Sequence, residues 1–219
     1  MGGSTEAPDN GVSRAAAIKD GYTAGARSLA TRGVRGLART RVTPNALTAS
    51  GVTLCAVAAI LVALAHRNEM LFYWVGAAVF VAGSILDILD GALARAGGKS
   101  TPFGAFLDST TDRVSEGFML AAIAYVFAYE NKNVFVVVAV AAVAGSFLVS
   151  YTRARAEALG LKGDVGIGSR AERVVVITSG LVLAPWGVLP WAIYLLAATA
   201  WFTVGQRIWS VRAQLRARP

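Results

Sequence analysis

The sequence predicts an all-α integral membrane protein with six transmembrane helices, an N-terminal amphipathic juxtamembrane helix, and both termini in the cytoplasm. Three observations support this prediction. The 219 residues are 55% hydrophobic with a mean hydropathy of +0.55, which is more apolar than an ordinary soluble domain. Six apolar segments each lie near the ~20 residues that a spanning helix needs. Lys and Arg concentrate at alternate ends of these segments, as expected from the positive-inside rule.

The first 41 residues precede the apolar segments. Residues 1–13 are polar and contain Gly and Pro, which predicts a disordered leader. In residues 14–41, apolar residues recur at helical spacing with Arg and Lys between them, a pattern typical of a helix lying on the inner leaflet. The glycines of this stretch leave a frayed basic arm as the alternative. The string Thr43-Pro44-Asn45 then predicts a turn, with proline near the start of the first spanning helix.

The six predicted spans form a membrane domain at 42–210, which is followed by a basic tail at 211–219. The predicted spans are 45–65, 71–94, 103–128, 133–155, 170–185 and 188–209. The third and fifth carry charges near their starts. On the side opposite the termini, the short connections hold only two basic residues, Arg67 and Lys132. An odd number of spans would place the basic tail outside the cell.

Charge and cysteine content restrict the classes of partner. The net charge is +8, and the basic residues flank apolar segments, so anionic lipid or an anionic substrate is expected and nucleic acid is not. Cys55 is the only cysteine, which excludes a disulfide framework and a thiolate metal site. Its apolar surroundings predict a small buried side chain, and the single histidine, His66, is predicted to lie on the surface.

Four aspartates lie inside predicted spans. Asp87 and Asp90 are spaced i,i+3 and Asp108 and Asp112 are spaced i,i+4, so each pair shares one face of its helix. The two helices are joined by a short loop, and both pairs lie roughly 7–14 Å below the cytoplasmic helix ends at about 1.5 Å per residue. The four carboxylates are therefore expected to converge.

Carboxylates that converge inside a membrane require cations or protons. An all-oxygen site suits Mg²⁺ or Mn²⁺, and two such ions would match four carboxylates and could polarise a phosphate. Gly91 and Gly104 would let a phosphate approach, or would only permit close helix packing. A proton or cation pathway in a transporter is the alternative, although such sites usually lie near the midplane of the bilayer.

These residues match the signature D-x2-D-G-x2-A-R-x8-G-x3-D-x3-D, and the chain therefore resembles the CDP-alcohol phosphotransferase family over nearly its whole length. The matching residues are Asp87, Asp90, Gly91, Ala94, Arg95, Gly104, Asp108 and Asp112. The resemblance implies transfer of a phosphatidyl-type group from a CDP-linked lipid to an alcohol, with release of CMP. It also implies that Asp87, Asp90 and Asp108 hold metal, and that Asp112 contacts a second metal and serves as general base.

The resemblance also implies a CDP site. Its residues would be Asn45, Ala46, Leu47, Thr48, Gly91, Arg95 and Thr101. Arg95 could donate two hydrogen bonds to a phosphate. For Asn45 and Thr48, helix capping is the alternative role.

The acceptor is predicted from arginines at the cytoplasmic helix ends. Arg153, Arg173 and Arg207 are expected to bind a phosphate on the acceptor, a pattern that resembles the phosphatidylinositol-phosphate synthases of actinobacterial type, which use inositol 1-phosphate. Headgroup anchoring is the expected role of the other arginines nearby. These are Arg155, Arg212, Arg216 and Arg218.

Several alternatives stay open at this stage. The acceptor could be glycerol 3-phosphate, as in phosphatidylglycerophosphate synthases, and the donor could be an archaeal-type ether lipid. A divalent-cation transporter and an inactive scaffold are the readings from other classes. The resemblance further implies a homodimer in the plasma membrane with its active site facing the cytoplasm, and CDP-diacylglycerol as the donor.

Overall fold

The computed structural model describes residues 43–96, 101–166 and 169–217. The predicted leader and the predicted helix at 14–41 lie outside the described residues. Within them, six long helices and two short 3₁₀ turns make up the secondary structure, and there is no strand. The helices are α1 (Pro44–Ala63), α2 (Glu69–Ala96), α3 (Pro102–Tyr129), α4 (Asn133–Ala158), α5 (Arg170–Val182) and α6 (Leu189–Arg216), and the 3₁₀ turns are Ala65–Arg67 and Ala184–Trp186. The predicted all-helical fold is confirmed for this part of the chain.

Three helices begin at residues that cap their free backbone N–H groups. Thr43 and Thr101 each accept a hydrogen bond from the backbone N–H three residues further on, at 3.3 and 3.0 Å, and each is followed by proline. Ser169 begins α5 with a capping box, in which its own backbone N–H donates to Glu172 at 2.7 Å. These caps fix the helix starts near the aspartates. The predicted position of Pro44 near the start of the first helix is confirmed.

Helix length and composition single out three candidate membrane spans among the described residues. They are Asn45–Arg67, Glu69–Arg95 and Asn133–Ala158. Helix α3 is long but carries several charges in its first half. Helix α5 has 13 residues, which at about 1.5 Å per residue is shorter than the ~30 Å hydrocarbon core. The predicted fifth segment, 170–185, continues beyond this helix into a 3₁₀ turn that contains Pro185.

The helices pack around one large apolar cluster. Helix α1 packs against α2 and α3, α4 packs against α3 and α6, and α5 packs against α2 and α6. Phe80, Met119, Phe127 and Ile193 are among the fully buried side chains of the cluster. Because α5 contacts α2 across the bundle, residues at the start of α5 can reach the aspartates of α2.

Helices α1 and α2 approach closely at two glycines. A β-carbon at Gly83 would lie 2.9 Å from the carbonyl oxygen of Gly51 and 2.8 Å from Sγ of Cys55, so only glycine fits without a shift of the helices. Small residues at such crossings allow backbones to come together. Cys55 is 1% exposed, which confirms its predicted role as a small buried residue. The crossing holds the start of α1 beside the end of α2, where the site begins.

Candidate active site

Three of the four aspartates converge at the end of α2. Asp87 and Asp90 lie on one face of α2 and are only 5% and 3% exposed. Asp108 reaches the same point from α3, and one carboxylate oxygen of each of the three residues lies within 4.8 Å of the others. Helical periodicity explains the pairing within α2, and α3, which packs against α1, brings the third carboxylate to the same point.

The chemistry of this cluster fits a divalent cation. Thr48 on α1 donates a hydrogen bond to Oδ2 of Asp90. The other oxygen of that carboxylate, Oδ1, is buried and has no hydrogen-bond partner within the part of the chain that the structure describes. Buried polar atoms are normally satisfied, and clustered carboxylate oxygens are the ligands that Mg²⁺ and Mn²⁺ prefer. The three side chains could therefore supply part of the coordination shell of a hard cation.

Asp112 joins the cluster through an arginine. Arg170, the first residue of α5, donates a hydrogen bond to Asp87, and its Nη1 lies 2.6 Å from Oδ1 of Asp112. The sequence prediction did not include Arg170 among the site residues. It lies three residues before Arg173, so the two arginines share one face of α5, and this spacing was the signal available in the sequence.

A cavity of about 380 Å³ lies between α1, α2 and α3, and we call it the α1–α3 cavity. Asp90 and Asp108 line its inner wall. Five of the seven residues predicted for the CDP site also line it. These are Asn45, Thr48, Gly91, Arg95 and Thr101. The predicted CDP site and the acidic cluster therefore share one cavity.

Ala46 and Leu47, the other two residues predicted for the CDP site, do not line the α1–α3 cavity. Ala46 is exposed, and Leu47 is buried in a small apolar cluster with Leu93 of α2. In a helix, four consecutive residues point in four directions, so a contiguous string cannot face one cavity. Leu47 instead helps to fix α1 against α2.

Glycine makes room on the wall of the α1–α3 cavity. A β-carbon at Gly91 would lie 3.4 Å from Nη1 of Arg95. This is tight contact, so glycine lets the guanidinium of Arg95 fold back over the helix one turn before it. The guanidinium of Arg95 and the carboxylate of Asp90 therefore line the same cavity from one helix.

A second cavity, of about 580 Å³, opens on the other side of the cluster, and we call it the arginine cavity. Arg153, Arg173 and Arg207, the three residues predicted to bind an acceptor phosphate, all line it, together with Arg113 and Arg170. They come from α3, α4, α5 and α6. Asp108 and Asp112 line the same cavity. Because Asp108 also lines the α1–α3 cavity, the two cavities meet at this carboxylate.

Each of the three predicted arginines is held by protein acceptors. Arg173 makes a two-pronged ion pair with Glu116, at 2.8 and 2.9 Å, and both side chains are buried. Arg207 donates from Nε to the carbonyl oxygen of Val165 at 2.8 Å. Arg153 pairs with Glu157 one turn along α4, at 2.9 Å, where both are exposed. Planar guanidinium groups with fixed orientation suit recognition of a phosphate.

Glu116 is a site residue that the sequence prediction missed. It lies four residues after Asp112 and therefore on the same face of α3. The face of α3 that carries the aspartates thus continues with a third acidic group, which pairs with Arg173, three residues after Arg170 on α5. A buried carboxylate normally needs a paired cation. The signal in the sequence was therefore an acidic residue on the buried face of α3, which indicates a basic partner.

Together, the helical fold and the site define a membrane-type enzyme in which a cluster of carboxylates separates a cavity that contains Arg95 from a cavity lined by five arginines. A family model described as CDP-alcohol phosphatidyltransferase matches residues 41–209. The chain belongs to the CDP-alcohol phosphatidyltransferase family.

The chain is similar to two named synthases of this family. The phosphatidylinositol phosphate synthase of Mycobacterium marinum is 38% identical over 184 residues, covering 81% of this chain and 76% of that protein. The archaetidylinositol phosphate synthase of Methanothermobacter thermautotrophicus is 41% identical over 145 residues, covering 64% of this chain and 71% of that protein.

The fold of the chain is also similar to solved structures of a synthase with the same name as the first relative. The phosphatidylinositol phosphate synthase of Mycobacterium tuberculosis with CDP-DAG bound has a TM-score of 0.75 and 31% identity, covering 84% of this chain and 94% of that one. The same enzyme in complex with manganese and citrate has a TM-score of 0.75 and 32% identity, covering 84% and 88%. The fold of this chain thus resembles that of an enzyme whose solved structures hold CDP-DAG in one case and manganese in another.

Proposed function

We propose that this chain transfers a phosphatidyl group from CDP-diacylglycerol to inositol 1-phosphate, giving phosphatidylinositol phosphate and CMP. The observation that carries the proposal is that two cavities meet at Asp108 and that the second is lined by five arginines. Inositol and serine carry no phosphate for these guanidinium groups to bind. The names of the relatives support an inositol phosphate acceptor.

The α1–α3 cavity would hold the donor. Asn45, Thr48 and Thr101 offer polar groups to the nucleotide, and Arg95 offers a guanidinium to the diphosphate. The acyl chains would extend into the surrounding bilayer. Because one relative is an archaetidylinositol phosphate synthase, an ether-linked donor is the alternative, and the two donors would share the same nucleotide contacts.

The arginine cavity would hold the acceptor, with its phosphate on Arg153, Arg173 and Arg207. Asp112 lines this cavity beside Asp108, so an acceptor hydroxyl can approach both. In the step itself, Asp112 takes the proton of the acceptor hydroxyl, and the oxygen of that hydroxyl forms a bond to the lipid-linked phosphorus. The bond from that phosphorus to CMP breaks, and CMP leaves with the electron pair.

Asp87, Asp90 and Asp108 would hold divalent metal, with Asp112 as a ligand to a second ion. We propose two Mg²⁺ ions, with Mn²⁺ as a substitute. When bound, such ions neutralise the charge that develops on the diphosphate and on the departing CMP. The unsatisfied Oδ1 of Asp90 supports this assignment, as does the manganese complex of the M. tuberculosis enzyme.

We further propose that six segments cross the plasma membrane, the fifth formed by α5 together with the 3₁₀ turn that follows it, with both termini and the active site facing the cytoplasm. The basic residues at the site end of the helices support this orientation, since only Arg67 and Lys132 lie at the other end. The soluble acceptor and CMP would then enter and leave from the cytoplasm. A homodimer is proposed from the family resemblance.

The proposal is tested by an acceptor comparison with the purified enzyme. CMP release from CDP-diacylglycerol is measured with inositol 1-phosphate, glycerol 3-phosphate, serine and inositol, each with and without Mg²⁺. We expect release only with inositol 1-phosphate and only with metal. Release with glycerol 3-phosphate alone would assign the chain to phosphatidylglycerophosphate synthesis, and cation flux into liposomes without nucleotide would favour a transporter.

A further inference from the structure

A groove separate from the acidic cluster lies between the C-terminal ends of α4 and α6. Its volume is about 420 Å³. Its wall is almost entirely apolar and includes Tyr151, Ile208 and Leu215, which are 62%, 60% and 48% exposed. Ile208, Val211 and Leu215 follow one another at i, i+3 and i+7, so they form a continuous stripe along α6.

Four arginines line this apolar groove. One of them, Arg207, donates a hydrogen bond to the carbonyl oxygen of Val165, and the other three border the groove. Arg155 lies in the last turn of α4, and Arg212 and Arg216 lie one turn apart near the end of α6. None of the three pairs with a carboxylate within the described ranges 43–96, 101–166 and 169–217. Nearby Glu157 is already engaged by Arg153. The groove therefore combines an apolar wall with three unmatched positive charges at a helix end.

We propose that this groove binds one anionic phospholipid, with an acyl chain on the Ile208–Leu215 stripe and the headgroup phosphate between Arg155, Arg212 and Arg216. Charge complementarity selects this occupant. Arginine donates paired hydrogen bonds to phosphate, and basic residues next to a bilayer attract anionic lipid. The groove lies at the helix ends where headgroups would meet the bundle.

The charges also argue against two other occupants. Residues 14–41 carry seven basic side chains and one acidic side chain, so that segment would be repelled by the three arginines. A second copy packed on this groove by two-fold symmetry would bring the three arginines of each copy into one interface. An anionic lipid is the occupant that neutralises them.

The test titrates lipid onto the full-length chain in neutral detergent and counts bound lipid by native mass spectrometry. Phosphatidylglycerol and phosphatidylcholine with identical acyl chains are compared. At about fivefold per arginine, we expect one phosphatidylglycerol to bind roughly a hundredfold more tightly than phosphatidylcholine. The triple variant Arg155→Gln, Arg212→Gln, Arg216→Gln should lose this preference. Equal binding of both lipids by the unmodified chain, or an unchanged preference in the triple variant, would overturn the proposal.

A single-charge comparison serves as the matched control. Arg212→Gln should weaken phosphatidylglycerol binding about fivefold, whereas Lys162→Gln, an exposed basic residue outside the groove, should leave it unchanged. Inorganic phosphate should not displace the lipid, because it gains nothing from the apolar wall. Displacement by phosphate at equal concentration would contradict a lipid site. A triple variant that dissociates a dimer but keeps its lipid would assign the groove to a second copy instead.

Discussion

The α1–α3 cavity and the arginine cavity share Asp108 but are built in different ways. The α1–α3 cavity comes from three consecutive helices, and its polar groups are cap residues and residues of one motif. The arginine cavity comes from four helices, and Arg170, Arg173 and Arg207 in it are oriented by partners far away in sequence, as Arg173 is by Glu116. The first is a local construction and the second depends on the complete bundle.

This difference matters for specificity. A site made of motif residues and helix caps can be kept while the remainder of the bundle changes, which suits a nucleotide donor common to a family. A site whose charges are positioned by tertiary contacts can change its acceptor when those contacts change. Substitutions at the shared acidic cluster should therefore affect the reaction of both substrates. Substitutions in one cavity should affect the binding of only one substrate.

The largest effect is expected from Asp112→Asn, which removes the proposed general base at the junction of the cavities. Loss of a positioned base lowers turnover by about 10²–10⁴-fold, and we expect this loss in kcat at saturating concentrations of both substrates. CMP release measures it. Asp164→Asn, an exposed carboxylate in the loop before α5, is the control and should retain full turnover. Normal turnover by folded Asp112→Asn protein would remove the proposed mechanism.

Glu116→Gln should weaken binding in the arginine cavity and leave binding in the α1–α3 cavity unchanged. Without its carboxylate, Arg173 loses a buried ion-pair partner and its fixed orientation. We expect the KM for the acceptor phosphate to rise by about a hundredfold, or about 2.7 kcal/mol, within the range for hydrogen bonds to charged groups. The KM for CDP-diacylglycerol should stay the same.

The matched control for that variant is Glu157→Gln, because Glu157 pairs with Arg153 on the exposed edge of the same cavity. Exposed pairs contribute about 0–1 kcal/mol, so the melting temperature should fall in the Glu116 variant and hold in the Glu157 variant. Glu116→Asp should restore part of the acceptor binding. Equal increases in the KM of both substrates would contradict separate cavities.

Thr48→Val tests how α1 supports the acidic cluster. The substitution removes the hydrogen bond that Thr48 donates to Asp90 while keeping a β-branched side chain. Groups that orient metal ligands typically change metal affinity by about 10- to 100-fold, so we expect Mn²⁺ binding, followed by electron paramagnetic resonance without substrates, to weaken by that amount. Thr53→Val is the control, because the Thr53 hydroxyl bonds only within its own helix, to Ala49 at 2.8 Å. Equal Mn²⁺ affinity in both variants would argue against the support role.

Arg95→Gln should give the smallest effect and act on the donor side alone. Arg95 is exposed at the mouth of the α1–α3 cavity, where solvent weakens its contribution. We expect the KM for CDP-diacylglycerol to rise about tenfold, with the acceptor KM unchanged. Arg67→Gln, at the opposite end of the bundle, provides the control. A change in acceptor KM without a change in donor KM would reverse the assignment of the two cavities.

The parts of the site that sequence could predict are those set by local spacing. Asp87 and Asp90 share a face because three residues make nearly one helical turn. Five of the seven residues predicted for the CDP site line the α1–α3 cavity, although the capping role of Thr43 and Thr101 was not predicted. Most of the α1–α3 cavity was therefore foreseen, apart from Ala46 and Leu47, which the helix turns away from it.

The parts that sequence could not predict depend on packing between distant helices. Nothing local indicates that Arg170 reaches Asp87, 83 residues earlier, or that Glu116 meets Arg173. Both contacts follow from how α5 lies across α2 and α3. The prediction that Arg153, Arg173 and Arg207 face one cavity needed only their shared position at helix ends, whereas their orientation needed the fold.

The central claim is that donor and acceptor phosphates occupy separate cavities that meet at the aspartates. The most direct test is a structure of Asp112→Asn protein with Mg²⁺, CDP-diacylglycerol and inositol 1-phosphate bound together. We predict the donor diphosphate between Asp90 and Arg95, and the acceptor phosphate between Arg153, Arg173 and Arg207. An acceptor phosphate lying in the α1–α3 cavity, or bound away from those three arginines, would contradict the account.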